Sequence, residues 1–185
     1  WNINDGQRDR YALFGEWEAK INPQWTSLLG LRHETVKMDA GAVRGYNTAG
    51  GPTLADAAAF NAKDRSKTDH NWDLSWLARY VPDTTRGLEI GLAQKTRSPN
   101  LYERYTWSTW QMAALMNNFV GDGNGYVGNL NLKPETARTL SLSADWHDAA
   151  KEKWGLKLTP YYTHVKDYID ARRVTNNANQ FNVLQ

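Results

Sequence analysis

The sequence predicts an all-β fold: an antiparallel, up-and-down transmembrane β-barrel, carried here as about six to seven strands with the long loops on one side. Three observations predict it. Apolar and polar residues alternate with period two through six segments, the pattern of strands with unlike faces. The connections between those segments are short and long in turn. Tryptophan and tyrosine, nine of each against four phenylalanines, collect near the strand ends, where a ring with one wet edge suits an interface.

The first segment, "RYALFGEWEAKI", sets Tyr11, Leu13, Trp17, Ala19 and Ile21 against Phe14, Glu16, Glu18 and Lys20. A short "NPQ" turn leads to "WTSLLGLRHETV", where Trp25, Leu29 and Leu31 oppose Thr26, Gly30, Arg32 and Glu34. The long stretch Lys37 to His70 follows. The third segment, "NWDLSWLARY", opposes Trp72, Leu74, Trp76, Ala78 and Tyr80 to Asn71, Asp73, Ser75 and Arg79. After "VPDTTR", the fourth sets Leu88, Ile90 and Leu92 against Glu89, Gly91, Ala93 and Lys95. A second long stretch runs from Ser98 to Pro134. The fifth, "TARTLSLSADW", places Leu140, Leu142, Ala144 and Trp146 opposite Thr139, Ser141, Ser143 and Asp145. "HDAAKEK" turns into the sixth, "WGLKLTPYYTHVKDYI", where Pro160 removes a ladder donor and calls for a bulge. "QFNVLQ" at the end reads as the start of a seventh strand.

Alternation alone fits two architectures. In a soluble sandwich the apolar face is the core; in a membrane barrel it meets lipid and the polar face lines a wet lumen. The rivals are therefore a Trp-rich, carbohydrate-binding β-sandwich and a small, closed eight-stranded membrane barrel. Long loops confined to one end, opposite short turns, favour a barrel with extracellular loops and periplasmic turns. The odd, unfinished strand count points to an excerpt: residues 1–185 form a partial barrel domain.

Composition excludes several function classes. Lysine and arginine number 22 against 20 acidic residues, with no basic run, which argues against a nucleic-acid partner. Without cysteine there is no disulfide, thiolate metal site or thiol nucleophile. No run of roughly 18 apolar residues marks a spanning helix. No Gly-x-Ser-x-Gly or His-Glu-x-x-His occurs and no carboxylate pair marks a pocket, so the chain reads as no enzyme, with no cofactor. "GDGNGYVG" (Gly121 to Gly128) lacks the lysine and strand–helix context of a phosphate loop; its glycines are expected to serve turns with positive φ. His33, His70, His147 and His164 are scattered and read as interface or turn residues.

Two boxes carry more information. "RSP" (Arg97 to Pro99) ends the fourth segment, and "NLNLKPE" (Asn129 to Glu135) opens the fifth after a long loop. With "YYTHVKDYI" and "FNV", they resemble the C-terminal half of the barrel of TonB-dependent outer-membrane receptors. That resemblance implies a bacterial outer-membrane location, lipid around the barrel, and active uptake of a scarce nutrient. It also implies a plug domain and a coupling segment for the TonB energy-coupling complex, both outside this sequence, as are the remaining strands. The boxes have a purely structural reading too, since Pro fixes φ and extends its predecessor, which suffices to end a loop.

The loop between the boxes has no histidine, the ligand expected of a haem receptor in that family. It offers Trp107, Trp110, Met112 and Met116 as substrate-loop residues. If Ser108 caps a short helix, Met112 and Met116 share one face, and thioethers suit a soft metal such as Cu(I). Packing of the loop by the two methionines is the other reading. The loop's wording is most similar to the copper-receptor branch of the family. The resemblance thus implies transport of copper or another metal or metal complex, with siderophore or haem uptake as alternatives.

Overall fold

The computed structural model describes residues 2–45, 52–174 and 179–185. In chain order the elements are β1 (Gln7–Lys20), β2 (Trp25–Asp39), α1 (Pro52–Asn61), β3 (Lys67–Asp83), β4 (Arg86–Arg97), α2 (Leu101–Tyr105) and α3 (Gln111–Leu115). They continue as β5 (Gly125–Val127), β6 (Glu135–His147), β7 (Gly155–Leu158), β8 (Tyr161–Lys166), β9 (Asp170–Arg173) and β10 (Gln180–Leu184). One seven-stranded sheet runs β1-β2-β3-β4-β6-β7, with β8 also on β6, and all its pairings are antiparallel. Its staves are the six predicted segments, in order.

The short turns share one device. Asn22 Oδ1 accepts the amides of Gln24 and Trp25 at 2.9 and 3.0 Å, closing the β1–β2 turn. Asp83 Oδ1 accepts the Thr85 amide at 2.9 Å and Asp148 Oδ1 the Lys153 amide at 3.0 Å. A short side-chain acceptor thus replaces the missing ladder partner at each reversal.

Pro160 divides the last stave into β7 and β8 without the expected bulge. The pairs Ala144↔Leu158 and Ser141↔Tyr161 belong to one continuous register. The Leu142 amide still donates to the Pro160 carbonyl at 3.0 Å, so only the reciprocal bond is lost. Proline's fixed φ lies inside the allowed β region and the pleat passes through it. "QFNVLQ" also departs from expectation. Its β10 is the middle of a separate three-stranded sheet, parallel to β5 and antiparallel to β9.

The register assigns the faces. Leu29 lies opposite Trp17 and Trp76, and Leu142 opposite Ile90 and Pro160's position, so the apolar residues share one surface. That surface is open: Leu13 is 79%, Trp17 63% and Leu142 49% exposed. The opposite face carries buried carboxylates, Glu34 at 4% and Asp73 at 7%. A sandwich would cover the first face, and here nothing among the described residues does. Trp25 and Tyr80 stack at 4.6 Å at the short-turn end of this face. The Trp76 indole N–H, on the same face, donates to Ser27 Oγ at 3.0 Å and so leaves no orphan donor there. No pairing joins β1 to β7 or β8 among the described residues, so the sheet does not close as a small barrel. No helix among them is long and apolar enough to cross a membrane.

Toward the long loops the faces exchange character. Along the inward row of β2, Gly30, Arg32 and Glu34 give way to Val36 and Met38, which are 0% and 2% exposed. Along the outward row, Leu29 and Leu31 give way to His33, Thr35 and Lys37. The apolar inward residues start a core of Val36, Met38, Ala40, Val43, Ala57, Phe60, Tyr105, Trp107 and Leu130. This core fills the mouth of the sheet and roots the loops. A second, separate cluster, Tyr126, Leu132, Ile169 and Val183, forms around the small sheet.

Candidate functional site

The wall itself prepares the site. Backbone pairing between β3 and β4 ends at Leu74↔Gln94, yet β3 stays paired to β2 up to Lys67 and β4 to β6 up to Arg97. The opening is bridged by side chains. Asp73 accepts the Thr96 amide at 2.7 Å, the Thr96 hydroxyl donates to the Trp72 carbonyl at 3.0 Å, and Asn71 Nδ2 donates to Ser98 Oγ at 2.9 Å. Below this line a lumen network forms: Glu34 accepts from Arg10 and Arg32, each at 2.6 Å, and Arg32 reaches Asp73 at 3.2 Å.

The first box turns the chain inward through that opening. Ser98 is 3% exposed and Pro99 is fully buried. Asn100 caps α2: its Oδ1 accepts the Glu103 amide at 2.8 Å while its own amide donates to Glu103 Oε2 at 2.7 Å, a capping box. Arg97 clasps both boxes together. Its Nη1 donates to both Glu103 carboxylate oxygens at 3.0 Å, and its Nε donates to Glu135 at 2.6 Å. Glu135 also accepts the Ile169 amide at 2.7 Å, which ties in the loop after β8. The boxes thus hold the base of the loop, through the Arg97 ion pairs and the cap of α2.

Between them, Arg104 is 2% exposed and donates from Nη2 to Asp69 Oδ1 and to the Leu132 carbonyl, both at 2.8 Å. The second box lies across α2, with the Asn129 amide donating to the Glu103 carbonyl at 2.8 Å. Leu130 enters the first core and Leu132 the second. Burial pushes the Tyr105 phenol up to about 12, and its hydroxyl donates to the Arg65 carbonyl at 2.8 Å. Burial, then the hydrogen bond to Asp122 at 2.6 Å, pushes Tyr126 up to about 12 as well. Hydrogen bonds from Tyr126 and Asn124 hold Asp122 below the usual carboxylate range. Asp122 thus completes a turn, with Gly121 and Gly123 beside it at φ +82° and +79°, as the sequence predicts.

Gly125 and Gly128 serve close approach instead. A Cβ on Gly125 would lie 2.6 Å from the Ala114 carbonyl carbon in α3, and one on Gly128 2.9 Å from Arg104 backbone. Gly125→Ala is expected to push α3 off β5 and cost roughly 1–3 kcal/mol of local stability. Hydrogen exchange at residues 111–117 of the full-length protein reads this directly; unchanged exchange would show that the contact does not hold α3.

The four predicted loop residues do not converge. Trp107 is 5% exposed and belongs to the mouth core, lining a cavity of about 230 Å³ with Phe60, Lys63, Thr109, Asn129 and Asn131. Trp110 is the residue before α3 and is 37% exposed. Met112 and Met116 sit one turn apart, the Met116 amide donating to the Met112 carbonyl at 3.2 Å, and are 58% and 71% exposed. Within this chain Ala113 and Ala114, not the two methionines, face the interior. Ser108 is not the helix cap, for Trp110 precedes α3 with no side-chain cap bond, and Ser108 Oγ accepts the Trp110 amide at 3.3 Å. Among the described residues no cluster of three His, Cys, Asp or Glu side chains is placed to hold a metal.

Sequence reasoning missed Arg104, Asp69 and the clasp from Arg97 to Glu103 and Glu135. The "NLYE" spacing is a capping-box signature and would have found α2. Nothing local announces that Asp69, 35 residues upstream of Arg104, is its partner.

Comparison with solved structures places the fold. The copper transporter OprC superposes with a TM-score of 0.67 at 16% identity, over 97% of this chain and 24% of that one. The siderophore receptor PirA from Pseudomonas aeruginosa superposes with a TM-score of 0.51 at 15% identity, over 97% of this chain and 37% of that one. The chain thus spans 24% of one receptor and 37% of the other, and the likeness at such identity is one of fold. No curated protein matches the sequence. The family model described as TonB dependent receptor-like, beta-barrel, matches residues 1–184, and the chain belongs to that family.

Proposed function

We propose that the protein of which this chain is part takes up a metal ion or metal complex across the bacterial outer membrane, with copper as the transported substrate. The observation that carries the reading is the exposed methionine pair on α3. Met112 and Met116 are one turn apart and open to solvent, in the long-loop region where an arriving substrate is met. Thioethers select soft ions, Cu(I) above all. The fold likeness to a copper transporter is consistent with it. Two thioethers are an incomplete set for a metal, so further ligands come from elsewhere in the receptor or from the metal's carrier. Energy coupling to the TonB complex and the closing of the lumen by a plug are properties of the whole protein in this reading.

The test is Cu(I) binding to the full-length protein in detergent, measured by competition with a chromogenic chelator. The Met112→Ala/Met116→Ala variant is expected to bind about tenfold more weakly, a loss of about 1.4 kcal/mol. Unchanged affinity would remove the pair from substrate binding. The likeness to PirA supports a second reading, an iron–siderophore complex, and in that case Trp110→Ala would weaken uptake while the methionine variant would not.

A further inference from the structure

The cavity beside Trp107 carries a charge pattern that binding of a metal by the methionine pair does not use. Asp56, Ala59 and Phe60 of α1 line it together with Lys63, just past the helix. Their i, i+3, i+4, i+7 spacing is that of one helix face. The Ala62 amide donates to the Ala58 carbonyl at 3.0 Å and the Lys63 amide to that of Phe60 at 3.1 Å, so the helical path runs on to Lys63. The loop between the boxes supplies Trp107, Thr109, Leu130 and Asn131. Phe60, Trp107 and Leu130 are buried, whereas Lys63, Thr109 and Asn131 are exposed. An apolar interior thus opens to solvent past a polar rim.

Two charges of opposite sign line this space, and the protein neutralises neither. Asp56 Oδ2 accepts both the amide and the hydroxyl of Thr109 at 2.7 Å, which fixes the carboxylate, while Oδ1 has no partner among the described residues. Neither Asp56 nor Lys63 is in an ion pair among those residues. Arg104 lines the cavity as well, but its charge is matched by Asp69 at 2.8 Å. The path from Asp56 to Lys63 advances about 10 Å along the helix, too far for a short aspartate to meet the lysine directly without bending it back. A simple anion would be drawn to Lys63 and repelled by Asp56, and a simple cation the reverse. A molecule that carries both charges satisfies both groups at once.

We propose that this cavity binds an α-amino acid as its zwitterion, with the ammonium on Asp56, the carboxylate on Lys63 and an apolar side chain against Phe60, Trp107 and Leu130. The span fits. Charge-assisted hydrogen bonds of about 2.8 Å at each end, with about 3 Å from ammonium nitrogen to carboxylate oxygen, add up to roughly 8–9 Å. The volume fits too. At about 30 Å³ per water, a cavity of about 230 Å³ holds seven to eight waters, which is room for a ligand of about eight non-hydrogen atoms. That is one amino acid and excludes a peptide. The inference goes beyond metal uptake and does not depend on it.

The test is equilibrium dialysis of isotope-labelled L-valine against the full-length protein in detergent. Two competitors each lack one charge: 3-methylbutanoate has no ammonium and isobutylamine no carboxylate. Saturable valine binding is expected, with each competitor at least about tenfold weaker. Asp56→Asn, which keeps an acceptor for Thr109, is expected to weaken valine about tenfold and to leave 3-methylbutanoate unchanged. Lys63→Met should weaken valine and leave isobutylamine unchanged. No saturable binding up to about 10 mM valine, or a competitor as good as valine, overturns the proposal. So does an equal loss of valine and 3-methylbutanoate in Asp56→Asn, which would show that the carboxylate only supports the loop. Should Asp56→Asn not fold, judged by heat-dependent gel mobility, Lys63→Met at its exposed position decides alone.

Discussion

Replacing Arg104 by alanine in the full-length protein is expected to accelerate amide exchange across residues 98–134 by about two to three orders of magnitude. The side chain is 2% exposed, and its partner Asp69 is 8% exposed. Removing the guanidinium strands a carboxylate in the mouth core and frees the Leu132 carbonyl, which it also holds at 2.8 Å. Leaving one member of a buried pair uncompensated costs roughly 3–5 kcal/mol, and each 1.4 kcal/mol is tenfold in local opening. The barrel wall below should exchange as before, because its ladder does not pass through Arg104. Joint replacement by apolar groups, Arg104→Met with Asp69→Leu, is expected to recover most of the protection, since both desolvation penalties vanish together. Exchange in the single variant indistinguishable from the parent would mean that the pair does not anchor the loop.

The second large effect tests which face meets the bilayer. Ile90 lies between Leu88 and Leu92 on the apolar row, in the middle of the sheet. Ile90→Arg is expected to destabilise the folded protein in bilayers by roughly 2–4 kcal/mol, the cost of a cation on the lipid face near mid-depth. Ser75→Lys, on the polar row opposite Gly30, should stay within about 0.5 kcal/mol, because its ammonium meets water in the lumen. Folding yield into lipid vesicles against urea reads both. Equal effects would show that the two faces are not differently solvated.

What the sequence revealed and what it hid divide along a physical line. The staves were legible because one apolar and one polar face put every second residue into the same class. Trp72, Leu74, Trp76, Ala78 and Tyr80 announce β3 without knowledge of any neighbour. The strand ends were not legible. β2 continues to Asp39 and β3 begins at Lys67, four residues before the alternating run, because toward the long loops Val36 and Met38 turn the pattern over. The boxes were legible as punctuation, since Pro99 and Pro134 restrict the residues before them, but their connection was not. Arg97 meets Glu135 because β4 and β6 are adjacent, a fact of register and not of spacing. The candidate site suffered most. Burial of Trp107 and exposure of Met112 and Met116 depend on how α1, α2 and β5 stack, and a five-residue helix carries too little periodicity to show which side faces in.

The exchange of faces along β2 also sets how deeply the protein rides in its bilayer. Because Leu31 and Val36 sit on opposite rows five residues apart, the outer boundary is fixed within one short stretch of strand. Inserting two residues between them would leave Val36 and Met38 on the inward row but displace them by about 6–7 Å against their partners on β1 and β3. Inserting one would send Val36 and Met38 outward and bring their polar neighbours into the mouth core. Length changes in this stretch thus keep the two faces only in even steps, and each even step has to be matched on β1 and β3 for Glu34 to keep Arg10 and Asn71.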